Sequence, residues 1–285
     1  MTNPLIQSRD DFARRHTEER VVLNGREWGV VDTGGEGPAL LLIPGTLGRG
    51  DIFWQQIEAL EGRARILSVT YPASGGVAEW SGDLAALLDD RRIGKAVVLG
   101  SSLGGYLAQY IAAAHPARVE RLIAANTLYD TAPAKQNPPY VSDLDAAPIE
   151  ELRAGFGRGL NAWADSHPDQ KHMVDLLLAE VGGRIPEAEL RNRLKGIKNA
   201  PALPPVGLPS ERIITIEGAD DPLIPLFMRD EVRTQLQPAV AYRFESGGHF
   251  PYTVRPDLYT AILEEQLGLV PASSTPWGTG KVRAL

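Results

Sequence analysis

Short, largely apolar runs alternate with helical stretches through most of this chain, and that alternation restricts its fold more than any other feature. Ala39 to Ile43, Ile66 to Thr70, Ala96 to Leu99 and Val119 to Ala125 lack the polar alternation of a strand with one wet face. They predict strands buried on both faces. Between them Asp51 to Leu60, Trp80 to Asp90 and Leu103 to Ala114 have helical spacing. Strand, helix and parallel strand in repetition give a β-α-β sheet. The start differs: Arg20 to Leu23 and Glu27 to Val31 flank Asn24-Gly25, a two-residue hairpin signal. An antiparallel pair therefore opens a mostly parallel sheet. Arg212 to Ile216 and Tyr242 to Glu245 supply further strands, with helices at Pro225 to Leu236 and Asp257 to Leu267.

Between the fourth parallel run and Arg212 the rhythm breaks. Residues 128–210 lack strand signals, and that length is too great for a structureless loop in a compact domain. Glu150 to Ala164, Gln170 to Val181 and Pro186 to Ile197 read as helices. Segments inserted at strand C-termini commonly shape pockets. The expected organisation is a core of residues 1–127 and 211–285 with a helical cap at 128–210. The tail from Pro271 to Leu285, rich in Pro, Gly, Ser and Thr, is expected to fray or lie along the surface.

The chemistry centres on Gly100-Ser101-Ser102-Leu103-Gly104. It fits G-x-S-x-G in one register only, with Ser102 central, since Ser101 would need glycines at Leu99 and Leu103. The pentapeptide ends a buried strand and opens a helix. A nucleophile there sits on a strained turn, and the N–H of Leu103 at the helix start is free to hold an oxyanion. A serine hydroxyl needs a base. Of five histidines, His16 falls in a polar N-terminal helix and is expected in solvent, and His115 closes a helix before Pro116. His167 and His172 lie in the insertion. Only His249, in Ser-Gly-Gly-His-Phe, follows the candidate acids. Asp221, in Gly218-Ala219-Asp220-Asp221-Pro222, is the best acid; Asp220 suits a turn-capping role, and Asp130 is remoter. The loop Pro44-Gly45-Thr46-Leu47-Gly48 should supply a second oxyanion donor, Thr46 N–H ahead of Leu47 N–H.

These features together resemble the α/β-hydrolase superfamily over residues 20–268. The wording IPGTLGRGDIFWQQIEAL, GSSLGGYLAQYIA and SGGHFPYTVRPDLY is most similar to maspardin-like proteins. The resemblance implies an α/β-hydrolase fold: a mostly parallel sheet flanked by helices, with the cap as insertion. It also carries a second reading, a non-catalytic interaction protein, whereas His249 and Asp221 together argue for an enzyme. The expected reaction is hydrolysis of an ester-like bond through an acyl-enzyme. C–C bond hydrolysis and cofactor-free haloperoxidase chemistry use the same three groups. Leu47, Trp54, Tyr129, Phe156, Trp163, Leu223 and Phe250 are the candidate lining residues. They point to a neutral, small to medium, largely apolar substrate.

Composition narrows the partners. With 29 basic against 36 acidic residues the net charge is −7, which disfavours nucleic acid and anionic membranes. The absence of cysteine removes disulfides, thiolate metal sites and a cysteine nucleophile. No His/Asp cluster has ligand spacing, so no metal or organic cofactor is expected. The N-terminal stretch has no apolar signal core, and no apolar run is long enough to span a bilayer. The expectation is a cytoplasmic protein, monomer or homodimer, acting on a small molecule.

Overall fold

A computed structural model describes residues 3–285. Helix α1 (Pro4–Arg15) starts on Asn3, whose side chain accepts from Leu5 and Ile6 N–H. His16, expected in solvent, instead ends this helix and stacks on Phe12 at 4.4 Å. Strands β1 (Glu19–Leu23) and β2 (Arg26–Asp32) pair antiparallel across Asn24 and Gly25, both left-handed, as the hairpin signal predicts.

The parallel core follows: β3 (Ala39–Ile43), α2 (Trp54–Leu60), β4 (Arg65–Thr70), α3 (Val77–Asp90), β5 (Ala96–Ser101), α4 (Leu103–Ala114) and β6 (Val119–Ala125). Strands β5 and β6 pair in parallel, and β3 lies parallel between β4 and β5. After β6 come four helices with no strand among them: α5 (Ala132–Lys135), α6 (Ile149–Ser166), α7 (Lys171–Ala179) and α8 (Glu187–Lys198). A π-helical turn, Glu180–Arg184, closes α7. The chain then returns through β7 (Ile213–Gly218), α9 (Leu226–Leu236), β8 (Val240–Phe244), α10 (Pro251–Val254) and α11 (Pro256–Gln266).

The tail lies along the surface, one of its two expected placements, and is ordered there rather than frayed. It ends in β9 (Val282–Ala284), which pairs parallel with β8. Arg283 anchors it, donating to Tyr242 Oη at 2.9 Å and Glu265 Oε1 at 2.5 Å. A composition typical of loops hides this single buried cation. The nine-stranded sheet has the order β1-β2-β4-β3-β5-β6-β7-β8-β9. Successive β3 side chains enter opposite clusters: Leu41 and Ile43 join Trp28, Tyr71 and Trp80, while Leu40 and Leu42 join Phe12, Phe53 and Trp54. Two buried faces explain why these strands read as unbroken apolar runs. No helix among the described residues is long and apolar enough to cross a membrane.

Candidate active site

Ser102 stands between β5 and α4 with φ 56° and ψ −118°, a conformation costly for a residue with a Cβ. The surroundings hold it there. Its N–H donates to Ala125 O at 3.0 Å, and its carbonyl accepts from Tyr106 N–H at 3.0 Å and the Thr127 hydroxyl at 2.7 Å. The flanking glycines are obligatory for closeness. A Cβ on Gly100 would lie 1.9 Å from Gly104 O, and one on Gly104 would lie 2.1 Å from Ile43 O. Strand, elbow and helix therefore meet at backbone contact. Leu103 begins α4, so its N–H has no acceptor within the helix; its side chain is in the core. On the other side, the backbone at Gly45 abuts Ser102, since a Cβ there would be 3.1 Å from Ser102 Cβ.

His249 and Asp221 are both buried, and Nδ1 of His249 lies 2.8 Å from Asp221 Oδ2 and 3.1 Å from Oδ1. A carboxylate only accepts, so Nδ1 carries the hydrogen and Nε2 is the basic nitrogen. Asp221 also accepts from Leu223 N–H at 2.8 Å, Ile224 N–H at 3.1 Å and Asn126 Nδ2 at 3.0 Å. Burial opposes its ionisation. The His249 ring, the Asn126 amide and the Leu223 N–H outweigh that and hold the carboxyl below its usual range. Asp220 has the capping role its neighbours suggest. It accepts from Gly247 N–H at 3.0 Å and Gly248 N–H at 2.9 Å, tying down the loop that presents His249. Asp130 caps Ala132 N–H instead.

Ser102 and His249 face one cavity of about 1330 Å³, walled by the core on one side and α5–α6 on the other. The hydrogen bonds of Ser102 are made by its backbone, and a contact between its hydroxyl and His249 is of the kind that commonly tightens only with substrate. Thr46, Leu47, Phe156, Trp163, Leu223 and Phe250 line this cavity. Two expected lining residues do not. Trp54 is buried on α2, its indole turned to α1 and donating to Ser8 Oγ at 3.0 Å. Tyr129 packs against the core cluster of Trp28 and Tyr106. An aromatic side chain near the motif in sequence is as serviceable for core packing as for a pocket. Met173, Ile224, Met228 and Tyr140 also line it, together with the exposed Glu150, Glu151 and Arg158. Burial pushes the Tyr140 phenol up to about 12, so it stands there neutral.

Sequence reasoning missed Asn126 and Thr127, which hold Asp221 and the turn at Ser102. The available signal was Asn directly after a buried strand. Asn126 has φ 42°, the left-handed region that Asn tolerates best among residues with a Cβ.

A family model described as the alpha/beta hydrolase family matches residues 40–262, and the chain belongs to this family. It is 28% identical over 240 residues to the pimeloyl-[acyl-carrier protein] methyl ester esterase of Vibrio parahaemolyticus, covering 80% of this chain and 93% of that protein. It is related to maspardin of Danio rerio, at 23% identity over 240 residues, 81% of this chain and 75% of that one. Among solved structures, a hydrolase from Pseudomonas aeruginosa superposes with a TM-score of 0.72 at 22% identity, over 88% of this chain and 98% of the other. That likeness speaks for the fold.

Proposed function

We propose that this chain is a serine esterase that hydrolyses a carboxylic ester of medium size and largely apolar character. The observation that carries the reading is the Asp221–His249 pair, buried and hydrogen-bonded, on the same cavity as a serine in a strained elbow. His249 Nε2 takes the Ser102 proton as Oγ attacks the ester carbonyl carbon. The negative oxygen is held by the N–H groups of Thr46 and Leu103. The alkoxy group leaves with the proton from His249, and water then attacks the acyl-enzyme by the same route. Asp221 keeps Nδ1 protonated and stabilises the imidazolium. Helices α5–α8, the expected cap, shield these steps from bulk water.

The substrate reading rests on the wall. Most of the lining is apolar, its charged members besides His249 being the exposed Glu150, Glu151 and Arg158, and the volume exceeds the roughly 300–1,000 Å³ of ordinary small-ligand pockets. Neutral esters toward the upper end of the expected size range fit best. The esterase-named relative supports ester cleavage over the other reactions open to these three groups.

The test is labelling with a fluorophosphonate probe, followed by a panel of neutral and charged esters. The expected result is one adduct on Ser102, absent in Ser102→Ala, and turnover favouring neutral acyl groups. A folded parent protein that takes no label would refute the proposal. It would favour a non-catalytic interaction role instead.

A further inference from the structure

The loop that carries the proposed oxyanion donor is braced by a residue far away in sequence. Arg193 of α8 has no exposed side-chain surface. Its Nη1 donates to Thr46 O at 3.1 Å and Gly48 O at 2.8 Å, and its Nη2 to Glu189 Oε2 at 3.0 Å. The guanidinium lies 5.3 Å from the centre of the Tyr71 ring. The Tyr71 hydroxyl in turn donates to Pro44 O at 2.9 Å. Within the loop, Gly48 N–H donates to Gly45 O at 3.1 Å. The carbonyls of Pro44, Gly45, Thr46 and Gly48 are thus all occupied.

A planar trans peptide points its N–H opposite to its C=O. Arg193 holds Thr46 O, which aims the Leu47 N–H, and it holds Gly48 O, fixing the residue whose own N–H holds Gly45 O and so aims the Thr46 N–H. Thr46 and Leu47 both line the cavity. A buried guanidinium is an expensive way to fill space, since an apolar side chain of similar volume would cost less. What it adds is a rigid set of N–H donors at two chosen carbonyls. We propose that Arg193 is a positioning residue for the oxyanion loop, so that seating the helical insertion and shaping the oxyanion hole are one event. This rests on the serine-esterase reading.

The experiment compares the parent with Arg193→Lys and Arg193→Met in the full chain. The steady-state rate on a p-nitrophenyl ester should show kcat lower by about 10–100-fold, less than the loss of a donor itself. KM should move by no more than about threefold, the signature of an interaction made in the transition state. A trifluoromethyl ketone, which forms the tetrahedral adduct, should weaken with kcat, while the matching methyl ketone should bind as before. Amide exchange at residues 45–48 should quicken in both variants and stay unchanged in β5 and α4. Where Arg193→Met does not fold, Arg193→Lys, which keeps a charge facing Glu189, decides alone. Parent-like kcat with parent-like loop exchange overturns the proposal, as does equal weakening of both ketones. A parent that neither labels nor turns over esters refutes the esterase reading instead, and loop exchange alone then judges the brace.

Discussion

Replacing Asp221 with Asn changes little in volume and inverts the hydrogen-bond logic at His249. Oδ1 of Asp221 faces the N–H groups of Leu223 and Ile224, so the amide oxygen of Asp221→Asn must take that place. The NH2 group then occupies the Oδ2 position, 2.8 Å from His249 Nδ1 and 3.0 Å from Asn126 Nδ2. Two donors now confront that ring nitrogen unless Nδ1 gives up its hydrogen. The stable arrangement has the proton on Nε2, which cannot accept from Ser102. A base in the wrong tautomer costs on the order of 10⁴-fold in kcat, or about 5 kcal/mol. The fold should suffer far less. Asn126 Oδ1 has no partner in the parent, so that amide can turn and accept from the new NH2. The residual cost is about 1–3 kcal/mol for the charged hydrogen bond lost, with the 3.3 Å bond from Asn126 Nδ2 to Gly248 O also given up when that amide turns.

The same substitution tests the electrostatics through pH. The folded-state pKa of Asp221 lies below its unfolded value, so ionisation of this group favours the folded state. That stability is present above the ordinary Asp value of about 3.9 and is lost as pH falls through the lower folded value. The stability gap between parent and Asp221→Asn should therefore narrow on acidification from about pH 5 to about pH 3. Ester turnover and urea unfolding at each pH supply both readouts. The reasoning fails if Asp221→Asn keeps more than about a tenth of the parent kcat, a loss too small for a tautomer switch. It also fails if the stability gap is independent of pH.

Gly104→Ala should destabilise at or beyond the upper end of the about 1–3 kcal/mol typical of overpacking, read as a drop in Tm. The atom it would strike, Ile43 O, is strand backbone and cannot move aside. Asp83→Ala should cost about 3 kcal/mol in urea unfolding, with ester turnover reduced only as far as the folded fraction. Asp83 is fully buried and accepts from Arg26 Nε at 2.6 Å, Asn24 Nδ2 at 3.0 Å and Trp28 Nε1 at 3.0 Å, pinning the β1–β2 hairpin to α3.

What was legible in the sequence followed chain periodicity, and what was not depended on meetings across it. Strands buried on both faces leave an unbroken apolar run, so β3 and β6 are read at their observed bounds. The elbow is a local device whose glycines are set by contacts within five residues and one neighbouring strand, and it too is legible. Asp221 and His249 are recoverable because chain order in this fold restricts which Asp and His can approach the serine. Lining residues obey no such order. Trp54 and Trp163 look alike in sequence, yet one donates to Ser8 within α1 and the other faces the cavity. Least visible are the charges that join the insertion to the core. Glu180 is fully buried and pairs with Arg9 of α1, and Arg184 Nη1 reaches Asp51 Oδ1 at 2.9 Å, beside the oxyanion loop. Burial pushes the Glu180 carboxyl up, against the pull of both arginines. In the sequence each of these residues reads as ordinary surface charge. A long polar side chain acquires a buried role only when its partner, 171 positions away for Arg9 and Glu180, closes around it. Arg193 belongs to this class, and its hold on Thr46 and Gly48 exists only once α8 packs against the core.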